Sequence, residues 1–398
     1  MRTRLPVFIA LLAPAALAGN IGTLFTQASD VGTVSRPVSA ALDRVTGTYT
    51  LAAAGENIWG TRDAFGFLWK QVRGDVAFAA SVKLTGKGGH PHRKAGVMFR
   101  QSLDPGAPYV DVVVHGDGLT SLQYRTEPGG VTREIQCATE APFAVRLDKR
   151  GDYIQLSLAN DVGLFSSSGC GIRLALRGGF HAGLVVSAHD DAAYESAEFR
   201  HVAIGTPAEP AEERLSAIEV LDVDSLNRRI VYISRTSTDA PSFTATGDAI
   251  CFRAEGQLQR LVIDGSSEPV TVGPQNAELC AIAAASSPAL RLTHEVKGGH
   301  ARIWRTDAGG TPRPITQGKW QNWQPRLAPA GESFVFLSGT ARPEEGRIAP
   351  GDYLLRQMPS AGGPARELAG FFGGPGSLGA SPWSPDGKQI VFVSREPE

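Results

Sequence analysis

The chain is short of cysteine, of methionine and of net charge. Its 398 residues include four cysteines and three methionines, and the formal net charge is −1. A balance so close to neutral gives no global field to gather nucleic acid or an anionic membrane, so neither is expected as a partner. No Cys-x-x-Cys occurs, which removes the usual mark of a redox pair or a zinc knuckle. After the first eighteen residues no run is apolar enough to span a bilayer. Gly-x-Ser-x-Gly is missing too; its nearest approach, Pro375-Gly376-Ser377-Leu378-Gly379, has proline at the first glycine position, so a serine hydrolase triad is not expected. Glycoside hydrolysis needs two carboxylates across one bond. The first half has no Glu-x-Asp-x-Glu, and Glu219, Asp222 and Asp224 have the wrong spacing. No cofactor is implied.

What is present is ordinary globular composition, hydrophobic 42% and charged 20%, at a length that suggests two domains. Residues Met1 to Ala18 carry Arg2 and Arg4, an apolar run from Leu5 to Leu17 and the small-x-small signal Ala16-Leu17-Ala18. This pattern predicts a secretory leader over residues 1–18 and a periplasmic or secreted mature chain. The cysteines fall as Cys137 and Cys170 in the first half and Cys251 and Cys280 in the second. One bridge per half is compatible with export, as are buried free thiols, and spacing does not choose between them.

From residue 19 to 205 the chain is a series of short β-type runs between Gly, Pro, Asp and Asn, such as Asp75 to Lys83, Tyr109 to His115 and Ala182 to Ser187. No helical period persists, and the spacing suits a sandwich or jelly roll. Residues 206–214, with Pro207, Pro210 and several glutamates, read as a linker. Beyond them a hairpin recurs. Its best copy is Ser381-Pro382-Trp383-Ser384-Pro385-Asp386-Gly387-Lys388-Gln389-Ile390-Val391-Phe392-Val393-Ser394, where Pro385, Asp386 and Gly387 supply turn chemistry and the following residues alternate as a strand. Weaker copies begin at Phe243, Ala283 and Leu327. The successive intervals from Phe243 through Ala283 and Leu327 to Trp383 are then 40, 44 and 56 residues, the first two within the period of propeller blades.

These segments carry two resemblances. Gly86 to Gly96, Tyr109 to Arg125, Asn57-Ile58-Trp59 and Phe67-Leu68-Trp69-Lys70 resemble the concanavalin A-like, glucanase-like sandwich that precedes TolB-type propellers in bacterial exported proteins. Residues 215–398 resemble the TolB-type β-propeller itself, with outer strand pairs at His300 to Thr316 and Tyr353 to Leu368. Such propellers usually have six blades; four hairpins are visible here, as if about two were lost between Cys280 and Trp320. The fold expected is therefore all-β, a sandwich followed by a reduced propeller of about four blades. Because the last hairpin lacks outer strands, Ile218 to Val223 and Arg229 to Ser234 are expected to supply them and close the ring, an incomplete ring being the alternative.

Side chains that suit a ligand are few. Trp59 and Trp69 with Asp63, Arg100, Tyr124 and Arg125 offer flat aromatics beside hydrogen-bonding groups in the sandwich, and Trp320 and Trp323 lie on a connecting segment of the propeller. Trp383 reads as blade packing. His90 and His92 sit two apart, with His115 and Asp117 as conceivable further metal ligands, although a polar loop and an Asp-Gly turn explain the same residues more simply. The function expected is a non-catalytic binding or scaffolding protein of the cell envelope whose partner is an envelope protein or a polysaccharide. Two alternatives stand beside it: a carbohydrate-active sandwich, and a degenerate propeller with little function of its own.

Overall fold

The computed structural model describes residues 20–86, 89–207, 215–264, 268–281, 290–343 and 346–397. The expected leader and most of the expected linker lie outside these residues, as does most of the hairpin copy that begins at Ala283. Fourteen strands precede residue 206: β1 (Gln27–Val31), β2 (Ser39–Asp43), β3 (Thr48–Ala53), β4 (Phe65–Arg73), β5 (Val76–Leu84), β6 (Lys94–Arg100), β7 (Tyr109–His115), β8 (Thr120–Arg125), β9 (Arg133–Gln136), β10 (Ala144–Arg150), β11 (Tyr153–Ala159), β12 (Phe165–Arg173), β13 (Gly179–Ser187) and β14 (Glu195–Gly205). Fourteen more follow: β15 (Ser216–Asp222), β16 (Arg228–Ser234), β17 (Thr238–Phe243), β18 (Ala249–Ala254), β19 (Gln257–Val262), β20 (Val270–Thr271), β21 (Leu290–Lys297), β22 (His300–Asp307), β23 (Arg313–Pro314), β24 (Gln321–Leu327), β25 (Ser333–Gly339), β26 (Gly351–Pro359), β27 (Arg366–Gly373) and β28 (Gln389–Arg395). The one helical element among the described residues is a 3-10 segment, Pro274–Cys280. No helix there is long and apolar enough to cross a membrane.

The first half is a two-sheet sandwich. One sheet runs β1-β4-β13-β6-β7-β8-β9, and the other runs β12-β11-β10-β5-β14-β3-β2. Strand alternation decides what lies between them. Val110, Val112 and Val114 of β7, Leu122 and Tyr124 of β8, Phe78 of β5 and Phe180 of β13 face inward into one apolar cluster. Their strand neighbours Tyr109, Asp111, Val113 and His115 necessarily project from the opposite face of the first sheet.

That first sheet does not stop at β9. Parallel pairing of Ile135 and Gln136 with Arg228 and Arg229 joins it to β16, and the order continues β16-β15-β28. The apolar cluster of the sandwich accordingly takes in Ala217 and Ile230 from the second half. Gly169 marks how closely the halves meet, for a Cβ there would sit 2.9 Å from that of Ala217. Arg173 pairs with Asp352 at 2.8 Å and Gln155 donates to Glu396, adding polar ties across the same seam. A short linker was expected to be the connection; a shared sheet was not.

In the second half the turn chemistry is as read. Gly387 has φ 71° and donates its N–H to Ser384 O at 2.9 Å, while Asp386 accepts from the Lys388 N–H. Gly247 and Gly331 repeat the geometry, bonding back three residues to Thr244 and Ala328. Trp383 bridges to Ile390, and β28 finds its outer partner in β15, from Ser216 opposite Arg395 to Asp222 opposite Gln389. Four sheets result: β16-β15-β28, β17 to β20, β21 to β23 and β24 to β27. β28 packs on both β17 and β27, and β24 on β21 and β22. Between the β17–β20 and β21–β23 sheets no packing of that extent is present among the described residues.

Cys251 and Cys280 are disulfide-bonded, tying β18 to the 3-10 segment, whereas Cys137 and Cys170 are buried free thiols. The shared pairing of β15 yields a prediction. Deleting residues 215–234 should strip hydrogen-exchange protection from β28 while β25 and β26 keep theirs, as read by exchange mass spectrometry. Equal protection of β28 and β25 in the deletion would contradict that dependence.

Candidate functional site

The face of the first sandwich sheet that points away from the core is lined with polar side chains, and it is buried. Register explains its composition. Arg100, Tyr109 and Arg125 are cross-strand neighbours on β6, β7 and β8, and the next row brings Met98, Asp111, Gln123 and Glu134 together. Strands at the centre of a sheet put such residues side by side however far apart they are in sequence.

The first row closes on Asp63. Its carboxylate takes Arg125 through both oxygens, at 2.7 and 2.8 Å, and Arg100 at 2.7 Å. All three side chains are fully buried. Both guanidinium groups lie against the Tyr109 ring, at 5.4 and 5.1 Å from its centroid. Arg125 also donates to Gly60 O at 3.0 Å and to Gly130 O at 2.8 Å, and Arg100 donates to Asp104 O. The network thereby fixes three loops, residues 55–64, 104–108 and 126–132, over the sheet. Gly55 sits at the neck of the first, where a Cβ would meet Ala64 O at 2.2 Å and φ is 119°.

The second row is a file of hydrogen bonds. Lys94 donates to Gln123 Oε1 at 3.2 Å, Gln123 to Glu134 Oε1 at 3.0 Å, and Gln136 to Glu134 Oε2 at 2.9 Å. Asp111 is buried with neither oxygen in a well-formed hydrogen bond. Desolvation raises its carboxyl well above the ordinary range despite the nearby Lys94, and it pushes Lys94 down to about 8 against the pull of Asp111 and Glu134. Trp59, half buried, covers this file, with Lys94 Nζ 5.8 Å from its ring centroid.

Above Trp59 the 55–64 loop, Gly32-Thr33, Pro105, His90 and His189 enclose an open cleft of about 730 Å³. Asn57 lines it and has a buried Oδ1 without a partner. His90 and His189 stand at its rim, and His92 and the buried His115 extend this group of imidazoles away from it. His90 stacks on His189 at 4.1 Å, His92 lies 5.7 Å from His189, and His115 lies 5.9 Å from His92. Burial, and then Lys94, pushes His115 down to about 4; burial, and then His90, does the same to His189.

The sequence-derived candidates divide accordingly. Trp59 is at the cleft. Asp63, Arg100 and Arg125 are not ligand-facing side chains; they are the buried fastening beneath it. Tyr124 faces the sandwich core, because it shares the inward side of β8 with Leu122. Trp69, half buried, donates its Nε1–H to Ser29 Oγ at 2.9 Å and meets His181 edge-on at 4.6 Å, away from the cleft lining. Trp323 belongs to β24 rather than to a connecting segment and is buried with Leu337 and Trp383 in a propeller cluster. Trp320 lines a second cleft of about 330 Å³ with Phe336, Met358 and Arg356.

His90, His92 and His115 are brought near one another, but His90 Nδ1 accepts the His92 N–H at 3.1 Å and the His90 ring stacks on His189. Among the described residues no three His, Cys, Asp or Glu are placed to hold an ion. Asp117 instead accepts the Leu119 N–H at 3.1 Å, which is turn chemistry. Sequence reasoning passed over Lys94, Asp111, Gln123, Glu134 and His189. The first four were signalled by polar residues at alternate positions of strands whose other positions are apolar; His189 had no local signal.

No family model matches this chain. An uncharacterized protein of Agrobacterium fabrum, Atu1656, is 31% identical over 96 residues, which are 24% of this chain and 32% of that protein. The chain thus spans about a third of the length of that relative. Among solved structures, a putative TolB from Agrobacterium tumefaciens is similar at 18% identity, covering 46% of this chain and 99% of that one with a TM-score of 0.39. The carbohydrate-binding module CBM66 of Bacillus subtilis is similar at 16% identity over 48% of this chain and 100% of its own, TM-score 0.31. A Bacillus licheniformis β-glucanase stands at 11% identity, 42% and 82% coverage and 0.29.

The histidine rim generates a pH prediction. A histidine whose folded pKa is lowered contributes stability that is full above its unfolded value near 6.5 and is lost as pH falls toward about 4. Asp111, raised on folding, opposes this trend, so the histidines are isolated by difference. Between pH 7 and 5 the urea midpoint of wild type should fall further than that of a His115→Gln/His189→Gln variant. Parallel shifts of the two midpoints would show that these imidazoles fold without a proton penalty.

Proposed function

We propose that the protein is an exported, non-catalytic binding protein of the bacterial cell envelope, with a sandwich over residues 19–205, a linker over 206–214 and a reduced propeller over 215–398. The observation that carries this reading is the cleft under the 55–64 loop. It is large enough for a segment of a macromolecule or a short oligosaccharide, it has an aromatic surface in Trp59, and its walls rest on a fully buried ion-pair network that keeps them in place without ligand.

A catalytic role fits the same groups poorly. Asp63 is spent on two arginines, Glu134 accepts from Gln123 and Gln136, and Asp111 is fully buried and does not line the cleft. Among the described residues, two carboxylates flanking a substrate bond, as glycoside cleavage requires, are not offered to the cleft. A polysaccharide ligand is the second reading. Trp59, with exposed Arg62 and Glu56 on the same wall, is the pairing of a flat ring and hydroxyl-matching groups that a sugar needs.

The test uses the mature chain and its Trp59→Ala variant in two formats, a polysaccharide panel and a pull-down from envelope extract. The expected outcome is one ligand, protein or glycan, whose affinity falls about tenfold or more in Trp59→Ala, equivalent to about 1.4 kcal/mol. Binding that ignores Trp59→Ala, or no ligand in either format, would remove the cleft from the function.

A further inference from the structure

We propose that Cys137 and Cys170 become a second disulfide, formed while the chain folds and locked afterwards, which staples the two sandwich sheets at the seam with the propeller. The sulfurs are 3.3 Å apart. Each is held by its backbone: Cys137, the residue after β9, donates its N–H to Thr120 O at 3.0 Å, and Cys170 in β12 donates to Ser168 Oγ at 3.2 Å. Bringing the sulfurs to a bonded separation of about 2.05 Å needs only a small side-chain adjustment.

The position gives the bond its consequence. β9 is the last sandwich strand of the first sheet, the one that pairs with β16, and β12 is an edge strand of the other sheet. Around the sulfurs the apolar cluster already draws Ala217 and Ile230 from the second half, with Ile233 packed against it. A covalent link here fixes the end of β9, the strand that also carries Glu134 and Gln136 into the file beneath Trp59.

The chemistry is thiol–disulfide exchange. One thiolate attacks the disulfide of a small or protein dithiol oxidant and expels a thiol; the second attacks the mixed disulfide and expels the other. Two cysteine thiols and one oxidant disulfide become one cystine and two oxidant thiols. Exchange requires access and a thiolate, and the folded chain withholds both. Cys170 is fully buried, Cys137 is 8% exposed, and its thiol is held well above the ordinary range by contact with Cys170 and by burial. Oxidation therefore has to precede final packing, and whichever redox state is folded in persists. The inference leans on export only for a natural source of oxidant, and the experiment supplies its own, so the two can fail separately.

The full chain is refolded with reduced and oxidised glutathione, denatured, alkylated without reduction and mapped by mass spectrometry. A linked peptide pair containing Cys137 and Cys170, with neither alkylated, is expected; alkylation of both in natively folded material, or cross-pairing with Cys251 or Cys280, overturns the proposal. A second arm folds the chain under reduction and then adds oxidised glutathione to the native protein. Cys137 and Cys170 should stay reduced for hours and close only after urea is added, whereas prompt closure in the native state would overturn the lock. Cys170→Ser, compared with the oxidised wild type, should melt several degrees lower, and an unchanged melting temperature would deny the staple its role.

Discussion

Asp63 faces two arginines in a place where no water reaches any of the three. Such an arrangement is tolerable only because each charge is met: the carboxylate by three guanidinium hydrogen bonds, the excess positive charge by the Tyr109 ring and by the carbonyls of Gly60, Asp104 and Gly130. Those carbonyls belong to loops with few apolar side chains of their own to bury. Their order comes from the ion pairs together with loop-to-loop backbone hydrogen bonds, such as Asp63 N–H to Pro105 O and Thr132 N–H to Gly60 O, and the burial of Ile58. Trp59 lies four residues before Asp63 on one of these loops, so the roof of the buried file and the wall of the cleft both inherit their position from this one carboxylate. Removing one partner of a buried pair typically costs about 3–5 kcal/mol, because the others stay buried and uncompensated.

The second dependence is the continuation of the sandwich sheet into β16, β15 and β28. The last hairpin pairs along its outer side with β15, from the start of the second half. β16 then has an open edge, and a row of unpaired backbone groups invites pairing with whatever is near. Here β9 takes part of that edge. Arg228 shows the cost, being buried at the joint with Glu219 at 3.2 Å, and burial keeps the Glu219 carboxyl above its ordinary range even with that neighbour. The halves are thus linked by the β9–β16 backbone pairing, a common apolar cluster and the Arg173–Asp352 ion pair rather than by the linker alone.

How much of this was legible follows from how local each signal is. Pro385, Asp386 and Gly387 announce their turn within four residues, and the alternation of Ile390 to Val393 announces its strand; both stand as read. The pairing of that hairpin with residues 218–223 was expected, and β15 provides it. Asp63, Arg100 and Arg125 read as ligand groups because charge in a sequence looks exposed; only the register of β6, β7 and β8 shows that Arg100 and Arg125 share a row across Tyr109. Tyr124 was decidable from its spacing to Leu122. Trp323 was not, since its burial depends on how β24 packs against its neighbours. The gathering of His189 with His90 and His92 is a purely tertiary event, and so is the approach of Cys137 to Cys170.

The central claim is that a buried carboxylate organises the cleft, and amide hydrogen exchange of an Asp63→Asn variant tests it directly, since the substitution keeps shape and removes charge. The account predicts that peptides covering residues 55–64, 104–108 and 126–132 exchange much faster than in wild type while β10 and β11 in the opposite sheet keep their protection. Wild-type protection of those three loops in the variant would contradict it.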